Sequence, residues 1–212
     1  MLFQRRNTII LVAFFLVACT RTELTSVVDP SVSPEQHYNS IAVFTVGMGL
    51  SERLASEKAM EEWLIQAKVN SIRGMLIAPP TQTYSESEIK ARIYATGADA
   101  VLMLVLTSKD FVNYKMPTTY HSGQSSSYVS YVGNRAYVTT TQQPGYTTGG
   151  GTVRKPIASY RLSLTDVSTQ KVVWIAEGQT GGGVQHSYAD LAASTGRTAI
   201  TKLITDGLIK KK

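Results

Sequence analysis

One apolar run constrains the fold of this chain more than any other feature. Within residues 98–110, ADAVLMLVLTSKD, every residue from Ala100 to Leu106 is apolar, so no alternation of buried and solvent-facing positions is present. A strand that is apolar on both faces belongs inside a sheet that is covered on both sides. The run therefore predicts a central strand with helices packed against the sheet.

The segments around this run supply the other elements of such a fold. Residues 40–47 and 75–80 predict strands, 51–74 and 85–95 predict helices, 157–167 and 171–180 predict a strand pair, and 188–209 predict a last helix. Ser85 is the expected cap of the second helix, with Glu88 at the capping-box position. The order β-α-β-α-β, an inserted hairpin, then β-β-α predicts one layered α/β domain (α+β, with a mixed sheet) over residues 39–209.

Residues 118–152 differ in composition from the rest of the domain. Their only formal charge is Arg135, and Gly133-Asn134 stands between two β-favouring runs, which predicts a long hairpin excursion with a tight turn. Tyrosine offers rigid amphipathic contact area at a small entropic cost, so the tyrosines here are candidate partner-binding residues. Pairing of these tyrosines across the hairpin strands is the alternative explanation. They are Tyr120, Tyr128, Tyr131, Tyr137 and Tyr146.

The amino terminus has the pattern of a secretory signal. Two arginines precede an apolar run over residues 9–18 that is too short to span about 30 Å of hydrocarbon. The sequence Leu16-Val17-Ala18-Cys19 resembles the bacterial lipobox. The resemblance implies a signal peptide over 1–18, cleavage between Ala18 and Cys19, diacylglycerol on the Cys19 thiol and an N-acyl chain, with no other cofactor. Thr20, in place of an aspartate, then implies the periplasmic face of the outer membrane.

The segment that follows the cysteine, residues 19–38, contains two prolines and no sustained periodicity. This composition predicts a lipid-bearing tether that lets the domain stand off the membrane.

Composition excludes several classes of site. Loss of residues 1–18 lowers the formal net charge from +6 to +4, and the basic residues are not clustered with aromatic ones, so no nucleic-acid partner is expected. Cys19 is the only cysteine, so once it carries lipid no disulfide can form. No spacing of histidines, cysteines and acidic residues implies a metal site.

Catalytic patterns are equally sparse. Gly47-Met48-Gly49 follows a predicted strand, but Glu52 occupies the third glycine position of a dinucleotide-binding loop, where an acid would repel a pyrophosphate. His186 and Asp190 form an i, i+4 pair near a helix start that could orient a base, yet no nucleophile elbow or zinc-protease motif accompanies it. We therefore expect a non-enzymatic protein, with an envelope hydrolase as a lesser alternative.

Two stretches carry a family resemblance. GADAVLMLVLT at 97–107 and ASYRLSLTDVSTQKVVWIAEGQT at 158–180, with Asp99, Asp166, Lys171 and Trp174, resemble a family of bacterial lipoproteins of unknown function. Its domain is similar to the α/β domains of amino-terminal TolB, LpoB and CsgG. The matching motifs are structural, so no functional residues follow from the resemblance, and the excursion has no counterpart in it.

These observations predict a membrane-anchored lipoprotein that contacts an envelope protein or a cell-wall partner during envelope assembly or maintenance. The alternative that the resemblance implies is a CsgG-like export component whose excursion inserts into the membrane as a hairpin.

Overall fold

The computed structural model describes residues 20–132 and 135–210, so the signal peptide, Cys19 and the Gly133-Asn134 turn lie outside the described residues. The elements follow in chain order: β1 (Arg21–Val28), β2 (Ser40–Val46), α1 (Leu50–Gln66), β3 (Asn70–Arg73), α2 (Gly74–Ile77), α3 (Glu86–Ala95), β4 (Ala100–Lys115), β5 (Thr118–His121), β6 (Ser125–Val132), β7 (Arg135–Gln142), β8 (Tyr146–Gly149), β9 (Thr152–Asp166), β10 (Val172–Gly181) and α4 (Tyr188–Thr205).

The main sheet is mixed and has six strands in the order β1-β10-β9-β4-β2-β3. Strands β3, β2 and β4 run parallel to one another, whereas β4, β9, β10 and β1 pair antiparallel. The α/β mixed-sheet prediction is confirmed, and the apolar run that suggested it forms the first half of β4, in the interior of the sheet.

The two faces of the sheet are covered differently. Helices α1 and α4 pack on one face over a core that includes the fully buried Leu102, Leu162 and Trp174. On the opposite face, a small cluster joins the β2–β3–β4 half to α2 and α3. The β9–β10–β1 half of that face is open to solvent and leaves Ile175 and Val27 exposed. The expectation of two covered faces therefore holds for only half of the sheet.

Boundaries between 49 and 80 differ from the predicted ones. The first helix is capped at Gly49, whose N–H donates to the Glu52 carboxylate at 3.1 Å; this is the one half of a capping box that a glycine cap can form. The helix ends at Gln66 because Lys68 adopts a left-handed conformation, with φ of 60°. Strand β3 precedes Gly74, and the strand predicted at 75–80 is instead the short helix α2. The predicted Ser85–Glu88 box on α3 is confirmed.

The predicted tether is wrong, because residues 21–28 form strand β1 at the edge of the sheet, paired with β10. Thr22, Leu24, Ser26 and Val28 point inward, and their neighbours in sequence face solvent. The Thr22 hydroxyl lies 2.9 Å from that of Ser194 on α4. Half of the inward positions are thus polar, which hides the alternation in sequence, and hydrogen bonds to α4 compensate for burying them.

Residues 29–38 are also fixed to the domain, through a carboxylate at the β9–β10 turn. Asp166 accepts hydrogen bonds from Gln36 Nε2 at 3.0 Å and from the Tyr38 hydroxyl at 3.1 Å. The Tyr38 N–H donates to the Leu208 carbonyl at 3.0 Å, and its side chain is buried. The resemblance motif at Asp166 therefore has a structural role, as expected, and the whole stretch from 21 to 38 belongs to the folded domain.

Candidate interaction surface

A two-stranded ribbon, residues 109–157, leaves the sheet between β2 and β10, and we call it the arm. Strands β4 and β9 pair from Ala100–Asp166 to Lys115–Thr152, but β2 stops pairing with β4 at Val105 and β10 stops pairing with β9 at Ile157. Beyond these points the ribbon continues alone through β5·β8 and β6·β7. The predicted excursion at 118–152 is therefore ordered as the outer part of a longer hairpin.

The arm has no core of its own. Every side chain that the structure describes between 118 and 152 is exposed. Each strand of the arm contains roughly 24 residues, which at about 3.3 Å per residue could reach at most about 80 Å. An isolated two-stranded ribbon is only marginally stable in water, and its outer edges present unpaired backbone groups. Such a ribbon is suited to binding another surface.

The predicted tyrosines fall on the arm, and the strand register shows which residue lies opposite each of them. Tyr120 pairs with Thr147, Tyr128 with Thr139, Tyr131 with Ala136, Tyr137 with Ser130, and Tyr146 with His121, so none of the five lies opposite another. Tyr146 nevertheless faces the aromatic ring of His121 across the strands, so cross-strand pairing and partner binding both stay open as explanations of these tyrosines.

Three of these tyrosines have described side chains. Tyr120, Tyr128 and Tyr146 are 70%, 60% and 61% exposed, respectively. The ring of Tyr146 stacks on that of His121 with 4.7 Å between centroids. The side chains of Tyr131 and Tyr137 lie outside the described part of the structure. The outer arm thus presents uncharged aromatic surface to solvent.

The root of the arm is braced against the amino-terminal ends of α1 and α4. Lys109 Nζ lies 2.6 Å from Glu52 Oε1, the carboxylate that also caps α1. The Tyr188 hydroxyl donates to the Asp110 carbonyl at 2.9 Å, and the Tyr188 ring meets Phe111 edge-on at 5.7 Å. These contacts fix the direction in which the arm leaves the domain.

The His186–Asp190 pair has a local role at the start of α4. The Asp190 carboxylate accepts hydrogen bonds from the Ser187 N–H and hydroxyl, both at 2.8 Å, and these bonds lower the pKa of Asp190. His186 Nδ1 accepts a hydrogen bond from the Gly183 N–H at 2.8 Å. Helix capping and loop closure therefore account for the spacing that suggested a base.

An apolar groove, which no sequence pattern indicated, lies between α3 and the open half of the sheet. It has a volume of about 550 Å³, and its lining includes Ile89, Ile93, Tyr94, Val101 and Met103. The groove forms because helix α3 covers only part of the sheet face beside β4. The position of α3 is set by tertiary packing, which no local sequence pattern reports.

Within residues 20–132 and 135–210, no group of three histidine, cysteine, aspartate or glutamate side chains is placed to hold a metal ion. None of the helices in the same described ranges combines the length and apolar character needed to cross a bilayer.

No protein-family model matches the chain, and no curated protein matches it. Two solved structures similar to it are PelC dodecamers from Paraburkholderia phytofirmans, one of them a variant, each with 14% identity and a TM-score of 0.47. The alignments cover 90% of this chain and 100% or 99% of the PelC chains. Because one fold can host unrelated functions, the function of this chain depends on its own residues.

Proposed function

We propose that this chain is a non-enzymatic, lipid-anchored protein of the bacterial cell envelope that acts through protein–protein contact made by the arm. The observation that carries the proposal is the outer arm itself: it is ordered, nearly uncharged and exposed on both faces. Its tyrosines pair with other residue types, and its strand edges are free. Rigid aromatic surface with free edges fits binding of a protein by side-chain contact and strand addition.

The anchor is the second part of the proposal and rests on the amino-terminal sequence. A signal over residues 1–18 followed by diacylglycerol and an N-acyl chain at Cys19 would hold the chain in the outer membrane, facing the periplasm. Strand β1 begins at Arg21, only two residues after Cys19 in the sequence, so a lipid on Cys19 would be attached next to the folded sheet. The domain would therefore sit close against the bilayer.

Photo-crosslinking in intact cells tests the contact. Benzoylphenylalanine replaces Tyr120, Tyr128 or Tyr146 in turn, and Ile65 serves as the control because it is 60% exposed on α1, away from the arm. We expect irradiation to give the same envelope-protein adduct from all three arm positions and no such adduct from position 65.

The adduct should also disappear when the other two arm tyrosines are changed to alanine, since the contact is shared among them. Arm positions that give no adduct, or the same adducts as position 65, would contradict the proposal.

The alternative of a CsgG-like export component requires the strands of the arm to span a membrane. Strands β6 and β7 have eight residues each, fewer than the roughly 9–11 that a membrane strand needs. On the face that carries Val129 and Val138, the next pair is Ser127 and Thr140, joined by a 2.8 Å hydrogen bond between their hydroxyls. Recovery of the chain lacking residues 1–19 as a soluble monomer would exclude this alternative.

A further inference from the structure

The end of the sheet from which the arm leaves is also the end at which the described chain begins. Arg21 pairs with Gly181, Gly181 with Ile157, and Ile157 with Asp110 at the root of the arm. Three strand spacings of about 4.8 Å place Arg21 roughly 14 Å from Asp110. Cys19 precedes Arg21 by two residues, so lipid chains at Cys19 would hold the root of the arm beside the bilayer. This step rests on the proposed anchor.

Six residues at the root of the arm form a belt of cations and aromatic rings, which we call the collar. The Arg154 guanidinium lies 4.4 Å from the ring centroid of Phe111, and Lys155 Nζ lies 3.9 Å from that of Tyr114. Because these two pairs lie on opposite faces of the ribbon, a cation stacked on a ring faces outward on each side. The collar consists of Lys109, Phe111, Tyr114, Lys115, Arg154 and Lys155.

The collar is positively charged, whereas the ribbon beyond it is nearly neutral. Lys109 is paired with Glu52, and Asp110 is the only acid within the root strands. Among the described residues, Lys115, Arg154 and Lys155 have no carboxylate within ion-pair distance. The nearby Arg21 is matched by Glu23 at 2.8 Å. Unpaired positive charge is therefore concentrated where the arm leaves the sheet, next to the anchor.

We propose that the collar is a membrane-contacting surface that binds the anionic phospholipid headgroups of the bilayer entered by Cys19. Basic side chains near such a surface are attracted by its negative potential, and tyrosine rings favour the level of the headgroups. The collar is not expected to enter the hydrocarbon, since a lone ribbon there would leave its outer backbone groups without partners. The arm then follows the membrane surface, so the protein it binds is itself membrane-embedded or membrane-bound.

The test uses the chain from Thr20 onward, which contains all the described elements and lacks the anchor. We expect it to co-sediment with vesicles of phosphatidylcholine and phosphatidylglycerol, but not with vesicles of phosphatidylcholine alone. Because Arg154 and Lys155 lie on opposite faces of the ribbon, one of the two faces the bilayer closely, and the double variant Arg154→Gln, Lys155→Gln should bind at least about fivefold more weakly, the effect of one lost charge. The control Lys171→Ala, Lys210→Ala removes equal charge at the opposite end of the sheet and should bind like the unaltered chain.

Equal binding by the collar variant and the unaltered chain would overturn the proposal, as would an equal loss in the control. Strong competition by free inorganic phosphate would also overturn it, because the site would then be one for the ion and not for a membrane surface. Thermal unfolding of each variant verifies that the fold is retained. Because the chain used in the vesicle assay lacks Cys19, a failure to bind vesicles would not decide whether Cys19 is lipidated or whether the arm crosslinks to a partner.

Discussion

Replacing Asp166 with asparagine should destabilise the domain in a way that depends on pH. One carboxylate oxygen of Asp166 accepts from the Ser168 hydroxyl at 2.7 Å and from the Thr169 N–H and hydroxyl at 2.7 and 3.0 Å. The other accepts from Gln36 and Tyr38. Burial alone raises the pKa of a carboxyl group, but the hydrogen bonds from Ser168, Thr169 and Tyr38 outweigh it and lower the pKa of Asp166 from 3.8 to about 2.

The lowered pKa converts into a stability contribution with a defined sign. A carboxylate whose pKa is depressed by folding stabilises the native state above its unfolded pKa, and this contribution disappears as the pH falls through the folded value. A shift from 3.8 to about 2 corresponds to about 2 kcal/mol of unfolding free energy at pH 6, most of it lost by pH 2. In Asp166→Asn the amide nitrogen is itself a hydrogen-bond donor, and it replaces one of the two oxygens that accept hydrogen bonds. This mismatch lowers the unfolding free energy by about 1 kcal/mol or more at any pH.

Urea unfolding of the chain from Thr20, followed by the fluorescence of the buried Trp174, measures this effect. The difference in unfolding free energy between the unaltered chain and Asp166→Asn should shrink by about 1.5 kcal/mol between pH 6 and pH 2.5. Tyr38→Phe, which removes one donor, should give a smaller pH-dependent change. Glu62→Gln, which removes one exposed carboxylate from α1, is the control for the change in net charge. A difference for Asp166→Asn that is constant over this range would refute the reasoning.

Two further substitutions use the same unfolding assay. A Cβ atom at Gly178 would clash with the Glu23 carbonyl oxygen on β1, so Gly178→Ala should lower the unfolding free energy by about 2–3 kcal/mol by displacing β1. Gly181→Ala, which has open space around it, should not, and equal effects would contradict the β1–β10 pairing. Burial raises the pKa of Glu57, against the opposing hydrogen bond from the Met75 N–H. The stability of the unaltered chain relative to Glu57→Gln should therefore decrease as the pH rises above 4.5, and an increase would contradict it.

Features of the fold with a local cause could be predicted from sequence. The apolar run at the start of β4 specifies an interior strand because one of its faces lies in the core, although Met103 on the other face is partly exposed. Ser85 and Glu88 start α3 because each satisfies a backbone donor of the other. The hairpin over 125–142 follows from β-favouring residues on both sides of Gly133-Asn134, and the strands pair in the register that a two-residue turn requires.

Features that depend on distant partners could not be predicted. The sequence of strand β1 looks polar because Thr22 and Ser26 fill inward positions. Those positions become favourable through the hydroxyls of Ser194 on α4 and Thr180 on β10 and the carboxylate of Asp206, which caps the end of α4. The groove beside α3 arises because the helices leave part of this sheet face uncovered. No residue pattern in the sequence corresponds to such a gap. The collar was missed because its cations come from two strands that are about 40 residues apart in sequence and become neighbours only through the β4–β9 register.

The segment predicted to be a tether is a strand of the sheet, and this limits how far the domain could move from an anchor at Cys19. A tether of about 20 residues would let the domain and its arm explore a wide volume of the periplasm. Strand β1 starts two residues after Cys19, so the proposed lipid anchor would be attached at the end of the sheet that carries the root of the arm and the collar. With that anchor in place, the arm would reach along the bilayer by up to its own length while its root stayed beside the membrane. On this proposal, a partner bound by the outer tyrosines would present its binding surface at the membrane. The tyrosine crosslinks test the outer end of the arm, and the vesicle measurements test its root.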